Sequence, residues 1–186
     1  VDQNLVVTQP SMIRSQSHHA NTTLLAELTE NTVTGGVAMI NHALAEKWVD
    51  TDDIVMHDWY LALLATATGK LVYIDKPGEL YRQHDNNVLG ARTLRKRFAK
   101  WLNPLQALGK YWWLIRTSQK QAGLLLGQPD LSTRQREMVE AYVGLINQGM
   151  TQRLSLLKKY QFKKNKRFHT AVFRTLVVTK LGYRKK

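Results

Sequence analysis

The charges of this 186-residue chain are sorted along its length, and that sorting constrains the fold more than any other feature. Residues 1–91 hold five Lys and Arg against eleven Asp and Glu, a net of −6; residues 92–186 hold 22 against three, a net of +19. A chain divided this way predicts two regions with different partners, an acidic one around the chemistry and a basic one facing something anionic. The break falls between Ala91 and Arg92. At 44% hydrophobic and 22% charged, the chain is globular and long enough for one or two cores. It has no cysteine, which excludes disulfides and thiolate metal sites and suits a cytosolic bacterial protein. No apolar run reaches the roughly 18 residues of a membrane-spanning helix. The chain opens on Val1 with neither an initiator Met nor a signal-peptide pattern, and reads as a fragment of a longer protein.

Within the acidic region, Leu5, Val6 and Val7 predict a short strand ended by Gln9, Pro10 and Ser11. Leu24, Leu25 and Leu28 fit a short helix capped by Thr22 or Thr23. Asn41 is placed to cap a helix over 42–48. A further helix over about 58–68 carries Leu61, Leu64 and Ala65 at helical spacing, with Gly69 as its C-cap. Leu71, Val72, Tyr73 and Ile74 read as a second strand, stopped by Lys76-Pro77-Gly78.

Three adjacent residues, His57, Asp58 and Trp59, stand just ahead of the apolar run 61–65. A carboxylate in the first turn of a helix meets unpaired backbone N–H groups and the positive end of the helix dipole, so it stays ionised and held in place. That is what a general base needs, and it equally describes a plain helix cap. Upstream, Gly35 and Gly36 precede an apolar run; paired glycines let the backbone approach a ligand closely, or simply make a turn. Downstream comes Tyr81-Arg82-Gln83-His84-Asp85-Asn86-Asn87.

Taken together, Asn31-Thr32-Val33-Thr34-Gly35-Gly36-Val37-Ala38-Met39-Ile40-Asn41, His57-Asp58-Trp59-Tyr60, Gly69-Lys70-Leu71-Val72-Tyr73-Ile74-Asp75-Lys76-Pro77 and Tyr81-Arg82-Gln83-His84 resemble the C-terminal half of bacterial family 2 glycosyltransferases, nearest to the rhamnosyltransferase-like branch that builds cell-surface polysaccharides. The likeness covers residues 1–91. It implies an α+β, mostly helical chain: the C-terminal, acceptor-side half of a GT-A-like nucleotide-sugar transferase domain with a few short strands over 1–91, then a basic α-helical bundle over 92–186. It implies an inverting, metal-dependent transfer of a sugar such as rhamnose from a nucleotide-sugar donor to a growing cell-surface polysaccharide or lipid-linked acceptor. The nucleotide-binding half is expected upstream, so this piece alone should be inactive.

The resemblance assigns roles residue by residue. Asp58 matches the catalytic base. Gly35, Gly36, His57, Trp59 and Arg82 match substrate-binding positions, with Trp59 and Tyr60 offering flat faces to a sugar and Arg82 a fork for the diphosphate. His84 matches a ligand of the divalent metal, Mn²⁺ or Mg²⁺, whose main acidic ligands are expected upstream. A loop His and an Arg82 that balances Asp85 or Glu79 are the plain alternatives. His57 stands where many family members carry Glu. The Gln-x-x-Arg-Trp motif of processive synthases is absent, which argues for one sugar per encounter.

The basic region reads as helices. Leu94, Phe98, Trp101 and Leu102 recur among Arg95, Lys96, Arg97 and Lys100 in one amphipathic helix. Asn103-Pro104 restarts the chain into a second helix with Leu105, Leu108, Trp112 and Ile115 on one stripe. Ser132 and Gln135 predict a capping box opening a long helix from Met138 to Leu157, and a last helix carries Phe168, Val172, Phe173, Leu176 and Val177. Lys and Arg beside Trp101, Trp112 and Trp113 suit peripheral contact with an anionic membrane, at the inner face of the plasma membrane of a cytoplasmic protein. The alternative to a transferase is a basic helical module binding a membrane surface or nucleic acid. No helix-turn-helix, zinc-finger or RNP signature favours nucleic acid, and the net of −6 over residues 1–91 argues against it.

Overall fold

The computed structural model describes residues 1–82 and 104–184. In chain order the helices are α1 (Met12–Ser17), α2 (Leu24–Thr29), α3 (His42–Ala45), α4 (His57–Thr68), α5 (Pro104–Leu124), α6 (Thr133–Val143), α7 (Met150–Tyr160) and α8 (Arg167–Thr179), with 3₁₀ turns at Gly35–Val37, Leu125–Gly127 and Leu145–Asn147. The side chains of residues 104 and 105 are outside the description.

The centre is α4. Trp59, Tyr60, Ala62, Leu63, Leu64, Ala65 and Ala67 are all buried, so this helix is apolar on nearly every side, as a helix enclosed by others must be. It packs on α2 and α5; α5 packs on α6, and α7 on α8. The core joins Leu24, Leu28, Trp59, Tyr60 and Leu63 to Trp112, Ile115, Leu125, Tyr142, Phe162, Phe173 and Val177, and therefore draws on both sides of the charge break.

Both ends of α4 are held by glutamines from the basic region. Its N-cap, Met56, makes no side-chain cap bond. Instead Gln121 of α5, fully buried, accepts from the backbone N–H of Val55 and of Met56 (3.3 Å) and donates to the Met56 carbonyl at 3.2 Å. At the other end, Gln135 Nε2 donates to the Ala67 carbonyl at 2.8 Å.

The expected α+β architecture, a GT-A-like half with short strands, is corrected: among the described residues there is no strand. Residues 5–7 do not extend into one because Asp2 ties the segment into a loop. Its Oδ1 accepts from the N–H of Asn4 and of Val6, both at 2.9 Å, its own N–H donates to the Val6 carbonyl, and Leu5 takes a positive φ of 63°. Residues 71–74 form no ladder with any described segment, and Val72 and Ile74 stand 63% and 66% exposed. A strand is defined by its partner's hydrogen bonds, and the β-branched composition of this segment does not supply one.

Other boundaries moved. The helix after Asn41 stops at Ala45 rather than reaching Trp48, although Asn41 caps it as expected by accepting from Leu44 N at 3.0 Å. The long helix expected through Met138 and Leu157 is two, α6 and α7, parted where Gly144 ends one and Gly149 opens the other. The capping box of Ser132 and Gln135 is present. The amphipathic stretch around Leu94 to Leu102 lies outside the described residues.

Candidate functional site

The site forms at the start of α4, where the Gly35–Val37 turn and the end of α2 converge on it. Asp58, in the first turn, is partly buried. Its Oδ1 accepts from the Trp59 backbone N–H at 2.7 Å and from Asn31 Nδ2 at 3.2 Å. The carboxylate thus takes up one of the orphan amides of the helix start and faces the positive end of the dipole. Among the described residues both of its hydrogen bonds go to this one oxygen, which anchors the group.

Gly35 and His57 meet directly. A Cβ built on Gly35 would lie 2.5 Å from His57 Nε2, closer than real Cβ atoms approach any neighbour. On the next residue, a Cβ on Gly36 would lie 3.0 Å from Glu79 Oε2. Neither glycine has a positive φ, so the pair is there for close approach and not for an unusual backbone. The turn is sandwiched between an imidazole and a carboxylate. Glu79 is a site neighbour that the sequence reading treated only as a counter-charge; its separation from Gly36 in sequence leaves no periodic signal.

Trp59 is 3% exposed, and its indole N–H donates to the Glu27 carbonyl at 2.8 Å. Tyr60 is buried beside it, edge-on to Trp48. Both rings brace α4 from within and present no face to solvent. Arg82 is exposed; it follows Tyr81, whose carbonyl accepts from the Val1 ammonium at 2.9 Å. His84 lies outside the described residues. Among the described residues no cluster of three or more His, Cys, Asp or Glu side chains could hold a metal ion. The described residues alone do not make a metal cage.

Beneath the Trp59 indole sits a buried polar knot. Glu27 is fully buried; Oε1 accepts from Thr32 Oγ1 at 3.0 Å, and Oε2 has no partner among the described residues. Burial pushes this carboxyl up to about 8, the Thr32 and Asn21 hydrogen bonds opposing only part of the rise.

A cleft of about 1120 Å³ opens next to the site, between the 7–14, 37–41 and 70–81 segments and the α4 residues Leu61, Ala62 and Ala65. Asp58 itself is not among the lining residues; Leu61 and Ala62, which are, stand one turn beyond it on the same helix. Thr34 and Glu79, which flank the paired glycines, also line the cleft.

Among the described residues no helix is long and apolar enough to cross a membrane. No family model matches the chain, and no solved structure matches it significantly. The chain is 52% identical over 40 residues to the dTDP-rhamnosyl transferase RfbG of Shigella flexneri, a match that covers 21% of this chain and 14% of that protein. The matched part is far short of that relative's length. Over this segment, the chain has a glycosyltransferase-like relationship to a rhamnosyl transferase.

Proposed function

We propose that the protein carrying this chain is a family 2 type glycosyltransferase that inverts its donor, moving a sugar such as rhamnose from a nucleotide sugar to a saccharide or lipid-linked acceptor, with Asp58 as general base. The observation that carries this reading is the carboxylate of Asp58, anchored through one oxygen in the first turn of α4 and one helical turn from a cleft of about 1120 Å³. The local identity to a dTDP-rhamnosyl transferase supports the reaction class.

Asp58 takes the proton from the acceptor hydroxyl as that oxygen attacks the anomeric carbon and the nucleoside diphosphate departs. A base held in place contributes roughly 10² to 10⁴ in rate. Gly35 and Gly36 bring main chain against His57 and Glu79, which shapes the rim where the acceptor hydroxyl would enter. Negative charge develops on the departing diphosphate; Arg82 is the candidate in this chain to meet it, and a divalent metal held through His84 and acidic residues elsewhere would supply further positive charge there.

The basic helices suit a peripheral contact with an anionic membrane, which would bring the site to a lipid-linked acceptor at the inner leaflet. The test of the transferase reading is release of nucleoside diphosphate by the full-length protein from a panel of nucleotide sugars, supplied with Mn²⁺ and a saccharide acceptor. Release that depends on one donor and rises with acceptor is the expected result. Binding of no nucleotide sugar at all would overturn the reading.

A further inference from the structure

We propose that Asn31 is the positioning residue for Asp58, presenting an amide donor that fixes the orientation of the carboxylate. The inference rests on the assignment of Asp58 as the base. Asn31 Nδ2 donates to Asp58 Oδ1 at 3.2 Å across 27 residues of sequence. Its orientation is not arbitrary. Asn31 Oδ1 accepts from the Val33 N–H at 2.9 Å, which obliges the NH₂ end to face the carboxylate. The reversed amide would set two acceptors against each other at Asp58 and two donors at Val33.

The residues on both sides of Asn31 are pinned: Thr29 closes α2, and Glu30 and Thr32 are held although they belong to no helix. The Thr29 carbonyl at the end of α2 accepts from the Lys164 ammonium, and Thr29 Oγ1 donates to the Lys163 carbonyl. Glu30 Oε2 accepts from the Asn165 N–H at 2.9 Å, and Oε1 from Ser17 Oγ at 3.2 Å. The Glu30 carbonyl accepts from Asn21 Nδ2 at 2.6 Å, and Thr32 Oγ1 accepts from the Asn21 N–H at 2.8 Å. The loop between α7 and α8, more than 130 residues away in sequence, therefore holds the segment that aims Asn31. Lys164 at a helix C-terminus also complements the dipole there. Nearby, His57 packs on Gly35 and Glu79 on Gly36, while the Glu30 carboxylate is engaged by Ser17 and Asn165.

Asn31→Ala and Asn31→Leu both remove the donor to Asp58 without setting a new charge beside it, and Asn31→Leu keeps the bulk. In both variants the side-chain carboxyl ¹³C resonance of Asp58, assigned by its loss in Asp58→Asn, should move from its wild-type position at one fixed pH, because the carboxylate has lost its amide donor. In the full-length protein, Asn31→Leu should lower kcat about tenfold and leave the donor KM unchanged. An Asp58 resonance that keeps its wild-type position in both folded variants overturns the proposal, whatever the transfer assay reads. Full transfer by Asp58→Asn would instead defeat the base assignment. If Asn31→Ala fails to fold, Asn31→Leu carries the test.

Discussion

At the scale of single residues, the contact between Gly35 and His57 is the sharpest steric demand at the site. Gly35→Ala places a methyl 2.5 Å from an imidazole nitrogen, so the ring must leave its position. Because His57 is exposed and its ring can swing into solvent, the expected result is a destabilisation of only about 0.5 kcal/mol in urea unfolding, and it should vanish in the double variant Gly35→Ala/His57→Ala. Additive losses in the double variant would mean that the two residues do not meet. The buried Glu27 makes a separate prediction. Its carboxyl holds a proton up to about pH 8 in the folded protein but only to about 4.5 when unfolded. The unfolded chain therefore binds fewer protons across that window, and stability falls as pH rises from about 4.5 to 8. Glu27→Gln should remove this loss. Urea midpoints of the wild type and this variant at pH 5 and pH 8 check it; a wild type with no greater pH dependence than Glu27→Gln would contradict it. Asp58, Gly35, Gly36 and His57 were singled out in the sequence through a resemblance to a family motif, and the structure brings Gly35 against His57 beside Asp58. The sequence reading missed Asn31, Glu27 and Glu79, whose importance comes from partners remote in sequence, and it gave Trp59 a sugar-facing role that its burial does not offer.

At the scale of elements, α4 was legible because its apolar residues recur at helical spacing and Gly69 closes it. Its supports were not. Gln121 and Gln135 sit on amphipathic helices among other polar residues, and nothing in their spacing says that one caps the start of α4 and the other its end. Gln121→Leu keeps the bulk but leaves the Val55 and Met56 amides without their buried acceptor, at a cost of about 1–3 kcal/mol. The same change should loosen the first turn of α4, raising amide exchange at residues 57–60 more than at 64–67. Uniform exchange along the helix would contradict the cap. The strands were misread for a physical reason as well. Composition reports that residues 71–74 suit a pleated surface, but a strand exists only when a second chain segment completes the ladder.

At the scale of the whole molecule, the charge break and the hydrophobic core tell different stories. Charge changes sign at residue 92, whereas the core joins α2 and α4 to α5, α6 and α8 across it. The helical character of the basic region and the capping box were legible from apolar periodicity; the shared core was not, because periodicity names a buried face without naming what covers it. The exposed Phe168 beside Lys163, Lys166 and Arg167 adds an apolar tip to a cationic surface. The protein should sediment with anionic vesicles at low salt and be released as ionic strength rises, since surface charge attraction is screened within a Debye length of about 8–10 Å. Equal binding to zwitterionic vesicles, or none to anionic ones, would contradict the membrane contact.

Asp58 is proposed as the base of a sugar transfer. That role is tested most directly by comparing wild-type and Asp58→Asn full-length protein for acceptor-dependent nucleoside diphosphate release, with donor binding measured alongside. Donor affinity should be unchanged and kcat reduced by roughly 10² to 10⁴. Transfer at the wild-type rate by the Asn variant would show that Asp58 is a helix cap and nothing more.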